Sequence, residues 1–301
     1  MGQEAVAGFS AVVLTWRDVT RTVRCVRSLL QSPSLDMVIV VDNESSRALG
    51  GALAEPIESG RCRLIENREN LGFAAGVNTG LRAAVALGAN YILVINNDAT
   101  IDPRSVDLLL LAAAGSGLAL AAPRVVHPDG TRERSWGRLT RTMALDREIP
   151  HECADYFTWA CVVIRADALE RIGFLDESFF MYWEDVDFGL RLRRAGLAAS
   201  LVPGANVVHT TSSSHSNAGS LVQGYSSHGL MVLSIREGRR RWGLARVAAR
   251  VVRAAVRCQW RAAQCITVGA HQACRPLDGP AWETLPIELS SVTRQPTVRS
   301  R

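Results

Sequence analysis

The sequence of 301 residues lacks several patterns that mark common classes of protein. It has no uncharged apolar run of the ~18 residues that a membrane-spanning helix needs. Its first residues show no basic and apolar signal-peptide pattern. None of the seven cysteines forms a C-x-x-C pair, which disfavours a redox motif and the common zinc sites. These absences predict a cytoplasmic protein with reduced thiols, at most peripheral on the inner face of the membrane.

Two nucleotide-binding fingerprints are also missing. No G-x-G-x-x-G follows the first predicted strand, and no G-x-x-x-x-G-K-[ST] occurs anywhere in the chain. A dinucleotide dehydrogenase and a P-loop enzyme are therefore disfavoured. The net charge of +5 would permit an anionic partner, but the arginines crowd into the last quarter of the chain. The excess charge thus belongs to a C-terminal extension, and we expect no nucleic-acid partner.

The first half of the chain alternates short β-branched runs with helical patterns, which predicts βαβ units around a mostly parallel sheet flanked by helices. The predicted strands span residues 11–15, 37–41, 63–66 and 91–95, and the predicted helices span 20–30, 73–87 and 103–111, the last capped by Asp102. Polar residues follow Val41 and Ile95 directly. Because open α/β sheets bind ligands at the carboxyl ends of their strands, the sequence places a site there.

The second half predicts shorter elements. They are a hairpin arm at residues 125–130, a strand at 157–164, a helix from Glu184 to Arg194 ended by Gly196, two short strands at 198–202 and 206–209 separated by Pro203-Gly204, and a Ser-rich loop at 211–220. We expect one catalytic domain over residues 1–238, with halves of about 1–122 and 123–238. A basic helical extension follows at 239–275, and then a disordered tail at 276–301. Two interpretations of residues 239–264 stay open, namely packing on protein, including a homodimer, and contact with an anionic membrane surface.

Several polar groups could carry chemistry, although each is a weak signal by itself. Asp42 can accept hydrogen bonds from a base or ribose, but it is also a common helix cap. The segment containing Asn70, Gly72 and Asn78 opens a helix, where glycines permit close approach of an anion or close packing on the sheet. Oxygen ligands such as those of Asn96-Asn97-Asp98 suit Mg²⁺ or Mn²⁺, and the imidazole of His209 suits Mn²⁺.

The densest acidic cluster is Glu184, Asp185 and Asp187, preceded by Tyr182 and Trp183. Aromatic walls bind sugar faces and lower the local dielectric, so a carboxylate among them can act as a base. Neighbouring side chains on a helix point about 100° apart, so Glu184 and Asp185 cannot both face one atom. We expect Asp185 to be the base, with Glu184 as the fallback. Asp187 should form a structural ion pair with Arg191, four residues on.

Together these blocks resemble glycosyltransferase family 2, especially its bacterial rhamnosyltransferase-like members, over roughly residues 10–238. The matching residues are Leu14-Thr15-Trp16, Val41-Asp42-Asn43, Asn70-Leu71-Gly72-Phe73 with Gly76 and Asn78, Asn96-Asn97-Asp98, Phe179 to Asp187 with Arg191, and His209. The resemblance implies an α/β GT-A nucleotide-diphosphosugar fold with a C-terminal helical extension. It also implies inverting transfer of rhamnose or another hexose from a nucleotide-diphosphate sugar. The acceptor would be a small molecule or natural product, a cell-wall glycan or a lipid-linked sugar.

The resemblance also implies roles for individual residues. Thr15 and Asp42 would hold the nucleoside, and the other donor-side residues would be Asn70, Gly72, Asn78, Asn96, Asn97 and Asp98. A divalent ion, Mg²⁺ or Mn²⁺, would be bound by Asp98 and His209. Asp185 would be the general base, and Trp183 and Tyr182 would lie on the acceptor side.

The chain departs from the family pattern at three places. Arg17 stands where the family often has Asn, Asn96 replaces the first Asp of the usual D-x-D, and an expected Arg-Asn pair is missing at residues 226–229. The alternative is a sugar-nucleotide binding protein or nucleotidyltransferase of similar fold. Pyrophosphorylases of that fold normally carry a Gly- and Lys-rich loop after the first strand, and residues 15–18 contain no such loop.

Overall fold

The computed structural model describes residues 8–44, 47–210 and 219–274. These residues form two compact units. The first unit comprises residues 8–44, 47–139, 145–176 and 184–210, and the second comprises 140–144, 177–183 and 219–274. The domain boundaries expected at residues 122 and 238 stay predictions. Most of the predicted Ser-rich loop and the whole predicted tail lie outside the described residues.

An eight-stranded sheet organises the first unit. The strands of this unit are β1 Phe9–Thr15, β2 Met37–Asn43, β3 Cys62–Asn67, β4 Tyr91–Asn96, β5 Ala99–Ile101, β6 Leu120–Val126, β7 Trp136–Leu139, β8 Leu145–Asp146, β9 Tyr156–Phe157, β10 Cys161–Arg165 and β11 Ala199–His209. The large sheet has the order β3-β2-β1-β4-β10-β6-β11-β5, and β8-β7-β9 form a small second sheet. Strands β3 to β4 are parallel, whereas β10 and β5 run antiparallel to their neighbours. The predicted mostly parallel sheet is confirmed.

Helices flank this sheet, and two of them begin at an aspartate whose side chain caps the first turn. They are α1 Val19–Leu30, α2 Arg47–Ala52, α3 Ala54–Glu58, α4 Gly72–Ala86, α5 Pro103–Gly115, α6 Ala166–Ile172 and α7 Glu184–Arg194, with a 3-10 turn at His151–Cys153. The Asp102 carboxylate accepts a hydrogen bond from the Ser105 backbone N–H at 2.9 Å, so the predicted cap of α5 is confirmed. The predicted end of α7 is confirmed too, since Gly196 follows it with φ of 68°.

Apolar residues on alternate positions of the strands fill a core on each side of the sheet. In β1, Ala11 and Val13 belong to one core and Val12 belongs to the other. Helix α4 lies very close to β1, because a Cβ added at Gly80 would stand only 2.3 Å from Cγ1 of Val12. Close packing on the sheet is therefore one physical reason for the glycines of α4.

Three predicted elements of the first unit differ in detail from the structure. The hairpin arm predicted at 125–130 is present only as a short antiparallel turn, in which Val126 bridges Arg132, while residues 125–126 also end β6 inside the large sheet. The predicted strand at 157–164 is divided between β9 and β10. The two short strands at 198–202 and 206–209 form one strand, β11, which continues past Pro203. Its register against β6 shifts between Leu201 and Asn206, and such an irregularity lets a strand tolerate proline.

The second unit is built mainly from three helices, α8 Leu221–Arg236, α9 Arg240–Val256 and α10 Trp260–Gln272. The predicted C-terminal helical extension is confirmed, but it is not one continuous helix, because the chain breaks between α9 and α10, where Cys258 has φ of 55°. Helix α10 closely approaches α8, since a Cβ at Gly269 would lie 2.2 Å from the Gly224 carbonyl oxygen. In the ranges that the structure describes, no helix combines the length and the apolar character needed to cross a bilayer.

Candidate active site

The carboxyl ends of β1, β2 and β4 bring several of the predicted donor-side residues together. Thr15 and Asp42 are register partners at the ends of β1 and β2, and both side chains are buried. Asn96 ends β4 on the other side of β1, where its register partner is Leu14. The predicted clustering of these residues at one edge of the sheet therefore agrees with the strand register.

A buried polar network fixes the turn after β4. The Thr22 hydroxyl donates to the Thr15 hydroxyl oxygen at 2.7 Å. The Asn97 amide donates to both hydroxyl oxygens at 3.2 Å. Thr15 and Asn97 therefore bond to protein groups, and their contribution is to hold the residues that lead into Asp98.

A second network shapes the loop before α4. The amide nitrogen of Asn43 donates to Oδ1 of Asn70 at 2.8 Å and to the Gly72 carbonyl at 2.9 Å. Oδ1 of Asn70 also accepts a hydrogen bond from the Gly72 backbone N–H at 3.0 Å. Because Asn43 ends β2 directly after Asp42, this network ties the helix opening to the end of that strand. The hydrogen bonds of Asn70 and Gly72 thus fix the backbone conformation of the loop before α4.

Asn78 does not take part in this arrangement. Its amide nitrogen donates to the Leu175 carbonyl at 2.8 Å, and its Oδ1 accepts from the Leu175 backbone N–H at 3.1 Å. The side chain is fully buried. Its role is to join α4 to the segment around Leu175, and we leave Asn78 out of the donor site proposed below.

Asp98 and His209 lie together, as the resemblance implied. Oδ1 of Asp98 is 3.2 Å from Nε2 of His209. The contact arises because β11 pairs with β5, which sets His209 opposite Ala99. Thr210 strengthens the junction, since its backbone N–H and its hydroxyl both donate to the Asp98 carbonyl oxygen.

Glu133 completes this cluster and was missed from the sequence. Its Oε2 is 3.1 Å from Nδ1 of His209, so the imidazole stands between two carboxylates. Burial opposes protonation of His209, but its hydrogen bonds to Asp98 and Glu133 outweigh burial and raise its pKa to about 9. The hydrogen bond with His209 lowers the pKa of Glu133 in turn. Glu133 stands in a loop with no periodic pattern, so no sequence signal marked it.

The Asp98 cluster is chemically suited to a divalent ion. Oδ2 of Asp98 is buried and has no hydrogen-bond partner among the described residues. Within those same residues, no group of three or more His, Cys, Asp or Glu side chains is arranged to hold a metal. Mg²⁺ and Mn²⁺ often take only one or two protein ligands and complete their coordination with phosphate oxygens and water. Asp98 and His209 therefore fit a shared site that a phosphate ligand would complete.

The acidic cluster begins α7 after a strained backbone. Tyr182 and Trp183, the two residues before the helix, have φ of 73° and 77°, which is costly for side chains of this size. Asp185 is partly exposed, and its Oδ1 accepts a hydrogen bond from the Val186 backbone N–H at 2.8 Å. Glu184 is buried, and its Oε2 has no hydrogen-bond partner in the part of the chain that is described. The helix start thus holds the two carboxyl groups in different surroundings.

Close packing sets the electrostatics of these two groups. A Cβ at Gly189 would lie 2.8 Å from Cα of Tyr156, so α7 packs tightly against β9. Burial raises the pKa of Asp185 to about 6, and hydrogen bonding and the charge of Arg147 oppose a larger rise. Burial, with the added charge of Asp185, raises the pKa of Glu184 well above its usual range. Near neutral pH Asp185 is therefore mainly anionic, whereas Glu184 keeps its proton to a higher pH than an ordinary carboxyl group does.

Asp187 has a structural role, as predicted. Its Oδ2 accepts a hydrogen bond from Nε of Arg191 at 2.8 Å. The same guanidinium donates to the backbone carbonyls of Ile172 and Phe174. This ion pair therefore ties α7 to the chain that follows α6.

The two predicted acceptor-side aromatics belong to the second unit. A Cβ at Gly229 would lie 2.6 Å from the Tyr182 carbonyl oxygen and 2.9 Å from Cδ1 of Trp183, so α8 packs directly against this segment. Trp183 is buried, whereas Tyr182 is partly exposed. Tyr182 is thus the more accessible of the two side chains.

Comparison with known proteins gives three kinds of match. The model of glycosyl transferase family 2 matches residues 10–173. A low-salt glycan biosynthesis hexosyltransferase, Agl10 of Haloferax volcanii, is 27% identical over 183 residues, covering 57% of this chain and 58% of the relative. An N-acetylglucosaminyl-diphospho-decaprenol L-rhamnosyltransferase of Mycobacterium tuberculosis is 30% identical over 206 residues, covering 57% of this chain and 66% of the relative. The chain thus matches about three fifths to two thirds of the length of these relatives.

Solved structures support the fold. The mannosyltransferase PcManGT of Pyrobaculum calidifontis, in complex with GDP-Man and Mn²⁺, superposes with a TM-score of 0.57 at 13% identity. The match covers 88% of this chain and 86% of that structure. The likeness confirms the GT-A fold that the sequence resemblance implied.

Proposed function

Because the chain belongs to glycosyl transferase family 2, we propose that it moves a sugar from a nucleotide-diphosphate donor to an acceptor hydroxyl. The observation that carries the proposal is a pair of acidic positions in opposite electrostatic settings. Asp98 lies against His209, whereas Asp185 lies beside Glu184, a carboxyl group whose pKa is raised by burial. A divalent ion beside Asp98 and His209 would neutralise a departing diphosphate, and Asp185 would take the proton from the acceptor hydroxyl.

The donor occupies the carboxyl edge of β1, β2 and β4. Asp42 accepts hydrogen bonds from the nucleoside, and Asn96 stands beside it at the end of β4. The remaining donor-side residues shape the site indirectly. They hold the loops that surround this edge of the sheet, and they are Thr15, Asn70, Gly72 and Asn97. Support comes from the strand register and from the two buried networks.

A divalent ion, Mg²⁺ or Mn²⁺, would be held by Asp98 and His209. When bound, it neutralises charge on the departing diphosphate. Glu133 orients the His209 ring through Nδ1, as outer-shell carboxylates do in metal sites. The unpartnered Oδ2 of Asp98 among the described residues and the Mn²⁺ in the PcManGT complex support this proposal.

Asp185 acts as the general base. It accepts the proton of the acceptor hydroxyl while that oxygen bonds to the anomeric carbon and the bond from this carbon to the diphosphate breaks. Attack from the face opposite the leaving group inverts the configuration. Such a single displacement needs one catalytic carboxylate, whereas the common retaining route needs a nucleophile as well. Glu184, whose pKa burial raises, is the fallback base.

The donor sugar is rhamnose or another hexose, and the acceptor is linked to a lipid. Support comes from the two relatives, one named as a hexosyltransferase and one as a rhamnosyltransferase acting on a diphospho-decaprenol sugar. Small-molecule and glycan acceptors are the competing choices in an acceptor screen.

The outward side of α9 supports contact with an anionic membrane surface. Val252 is 61% exposed, Val256 is 79% exposed, and Trp260 at the start of α10 is 67% exposed. Exposed arginines of α9 flank this apolar face. Apolar faces with basic flanks bind the interface of anionic bilayers. Val252→Asp should therefore reduce sedimentation with phosphatidylglycerol vesicles, whereas unchanged sedimentation would favour packing against protein or a homodimer.

The activity is tested by a thermal-shift screen of nucleotide sugars with and without Mn²⁺, since a bound ligand raises the melting temperature. Donors that bind are then incubated with acceptors and followed by NMR. Sugar transfer yields a nucleoside diphosphate and a glycoside of inverted anomeric configuration. A protein that only binds sugar nucleotides leaves the donor intact, and a nucleotidyltransferase exchanges the nucleotide without forming a glycoside. Either of those two results would refute the proposal.

A further inference from the structure

The second unit contains a cavity of ≈ 320 Å³ that the donor site does not use. Helices α8, α9 and α10 form its walls, and Tyr182 contributes from the segment before α7. Its polar lining consists mainly of Tyr182, Gln223, Ser226, Arg250, Arg253 and Arg257.

The three cavity arginines come from the last turns of α9: Arg250 and Arg253 stand at positions i and i+3 of the helix, and Arg257 is the residue that caps it. Like charges at such spacings repel each other. In the described part of the second unit the only acidic residues are Glu177 and Glu237, and neither lines the cavity. No described carboxylate forms an ion pair with any of the three arginines. Their charge is therefore not neutralised within the part of the chain that the structure describes.

Arg250 is the most enclosed of the three. Its guanidinium donates to the hydroxyls of Ser226 at 3.2 Å and Ser227 at 3.3 Å, which are neutral acceptors. Burial lowers the pKa of Arg250, and the charges of Arg246 and Arg253 lower it further. A partly buried cation without a counter-charge is unfavourable, so an anionic ligand would stabilise it. Arginines near the end of α9 also interact favourably with its helix dipole, but that role needs no cavity and no partly buried guanidinium.

We propose that this cavity, lined by Arg250, Arg253 and Arg257, binds the diphosphate of a diphosphate-linked acceptor. The inference rests on the proposed function and names the acceptor class. Arginine forms two parallel hydrogen bonds to phosphate oxygens, and the whole chain contains no lysine. Tyr182, which lines the cavity, precedes the proposed base Asp185 by three residues in the sequence.

Binding to the full-length chain tests the proposal without turnover. Geranyl diphosphate and inorganic pyrophosphate are titrated by calorimetry in EDTA, which removes any divalent ion. Arg250→Gln and Arg253→Gln should each weaken both probes at least about tenfold, because each removes a charged hydrogen-bond donor. Arg241→Gln is the matched control, since it makes the same charge change on α9 outside the cavity. Asp98→Ala should also leave these affinities little changed.

Two results would overturn the proposal. One is equal weakening by Arg241→Gln, which would indicate only general attraction of anions. The other is loss of binding in Asp98→Ala with full binding in Arg250→Gln, which would put the probes at Asp98. Melting curves check folding, and Arg257→Gln replaces any variant that unfolds, because Arg257 makes no side-chain hydrogen bond with a described residue.

A vesicle arm separates the acceptor diphosphate from a phospholipid headgroup. Phosphatidylcholine vesicles with and without phosphatidylglycerol should bind Arg250→Gln as well as the unaltered chain. Reduced vesicle binding with unchanged geranyl diphosphate affinity would overturn the proposal in favour of a lipid headgroup. A chain that shows the expected probe affinities yet never forms a glycoside would support the cavity and refute the proposed function.

Discussion

Asp98 and Asp185 are two acidic residues of one unit in opposite settings. Asp98 lies 3.2 Å from an imidazole whose pKa is raised to about 9, so its neighbour favours positive charge. Asp185 stands beside Glu184, and burial raises the pKa of Asp185 to about 6. In the proposed mechanism the same side-chain chemistry would serve a metal site at Asp98 and a proton acceptor at Asp185. The surroundings, rather than the residue type, would separate these two proposed roles.

The largest effect should come from removing the proposed base. Asp185→Asn keeps the shape of the side chain but cannot accept the proton, so kcat should fall by about 10²–10⁴-fold. Donor affinity should stay nearly unchanged, because the Asp98 region is untouched. Stopped assays give kcat, and calorimetry with the donor gives the affinity. Glu184→Gln is the matched control, and a larger loss of kcat in that variant would transfer the role of base to Glu184.

The next largest effect should be a loss of metal-dependent nucleotide binding in variants of the Asp98 and His209 cluster. Glu133→Gln loosens the orientation of His209, so Mn²⁺-dependent affinity for a nucleoside diphosphate should fall by about tenfold, at the low end for outer-shell partners. Asp98→Ala removes a ligand itself and should cost more. Calorimetry with and without Mn²⁺ measures both. Equal affinity in all three proteins would break the distinction between the two acidic regions.

The smallest effect should concern stability. A buried acid whose pKa is raised by folding contributes stability below its unfolded pKa, and this contribution is lost as the pH rises through the folded pKa. Glu184→Gln removes that loss, so it should raise the melting temperature at pH ~8 by about 2–5 °C. The gain should vanish near pH ~4, where both states of the unaltered chain are protonated. A gain that does not depend on pH would contradict the raised pKa of Glu184.

Local patterns were enough to predict much of the first unit. The strands ending at Thr15, Asp42 and Asn96 follow from short β-branched runs, and the start of α5 follows from Asp102 and its neighbouring proline. The ion pair of Asp187 with Arg191 follows from helical spacing. These features depend on residues close in the sequence, which a single chain displays directly.

Features that depend on distant residues could not be predicted in this way. The bonds of the Asn78 amide to Leu175, 97 residues away, had no local sequence signal, and the donor role expected for Asn78 stays a prediction. Glu133 approaches His209 from a loop without pattern, 76 residues earlier. The break at Cys258 interrupts an apolar and basic pattern that continues on both sides. Such features depend on contacts between distant residues and on local backbone angles, and neither is visible in a short stretch of sequence.

The pH dependence of kcat/KM tests the division of roles most directly, because it reports the ionisation of the free enzyme. With Mn²⁺ at a concentration that saturates the site at every pH, and with a donor and acceptor that support turnover, kcat/KM should be level above neutrality. It should fall about tenfold per pH unit below the pKa of Asp185, about 6. The residual activity of Asp185→Asn should lack this acidic limb. A level profile down to pH ~5, or the same limb in Asp185→Asn, would contradict the assignment of Asp185 as the base.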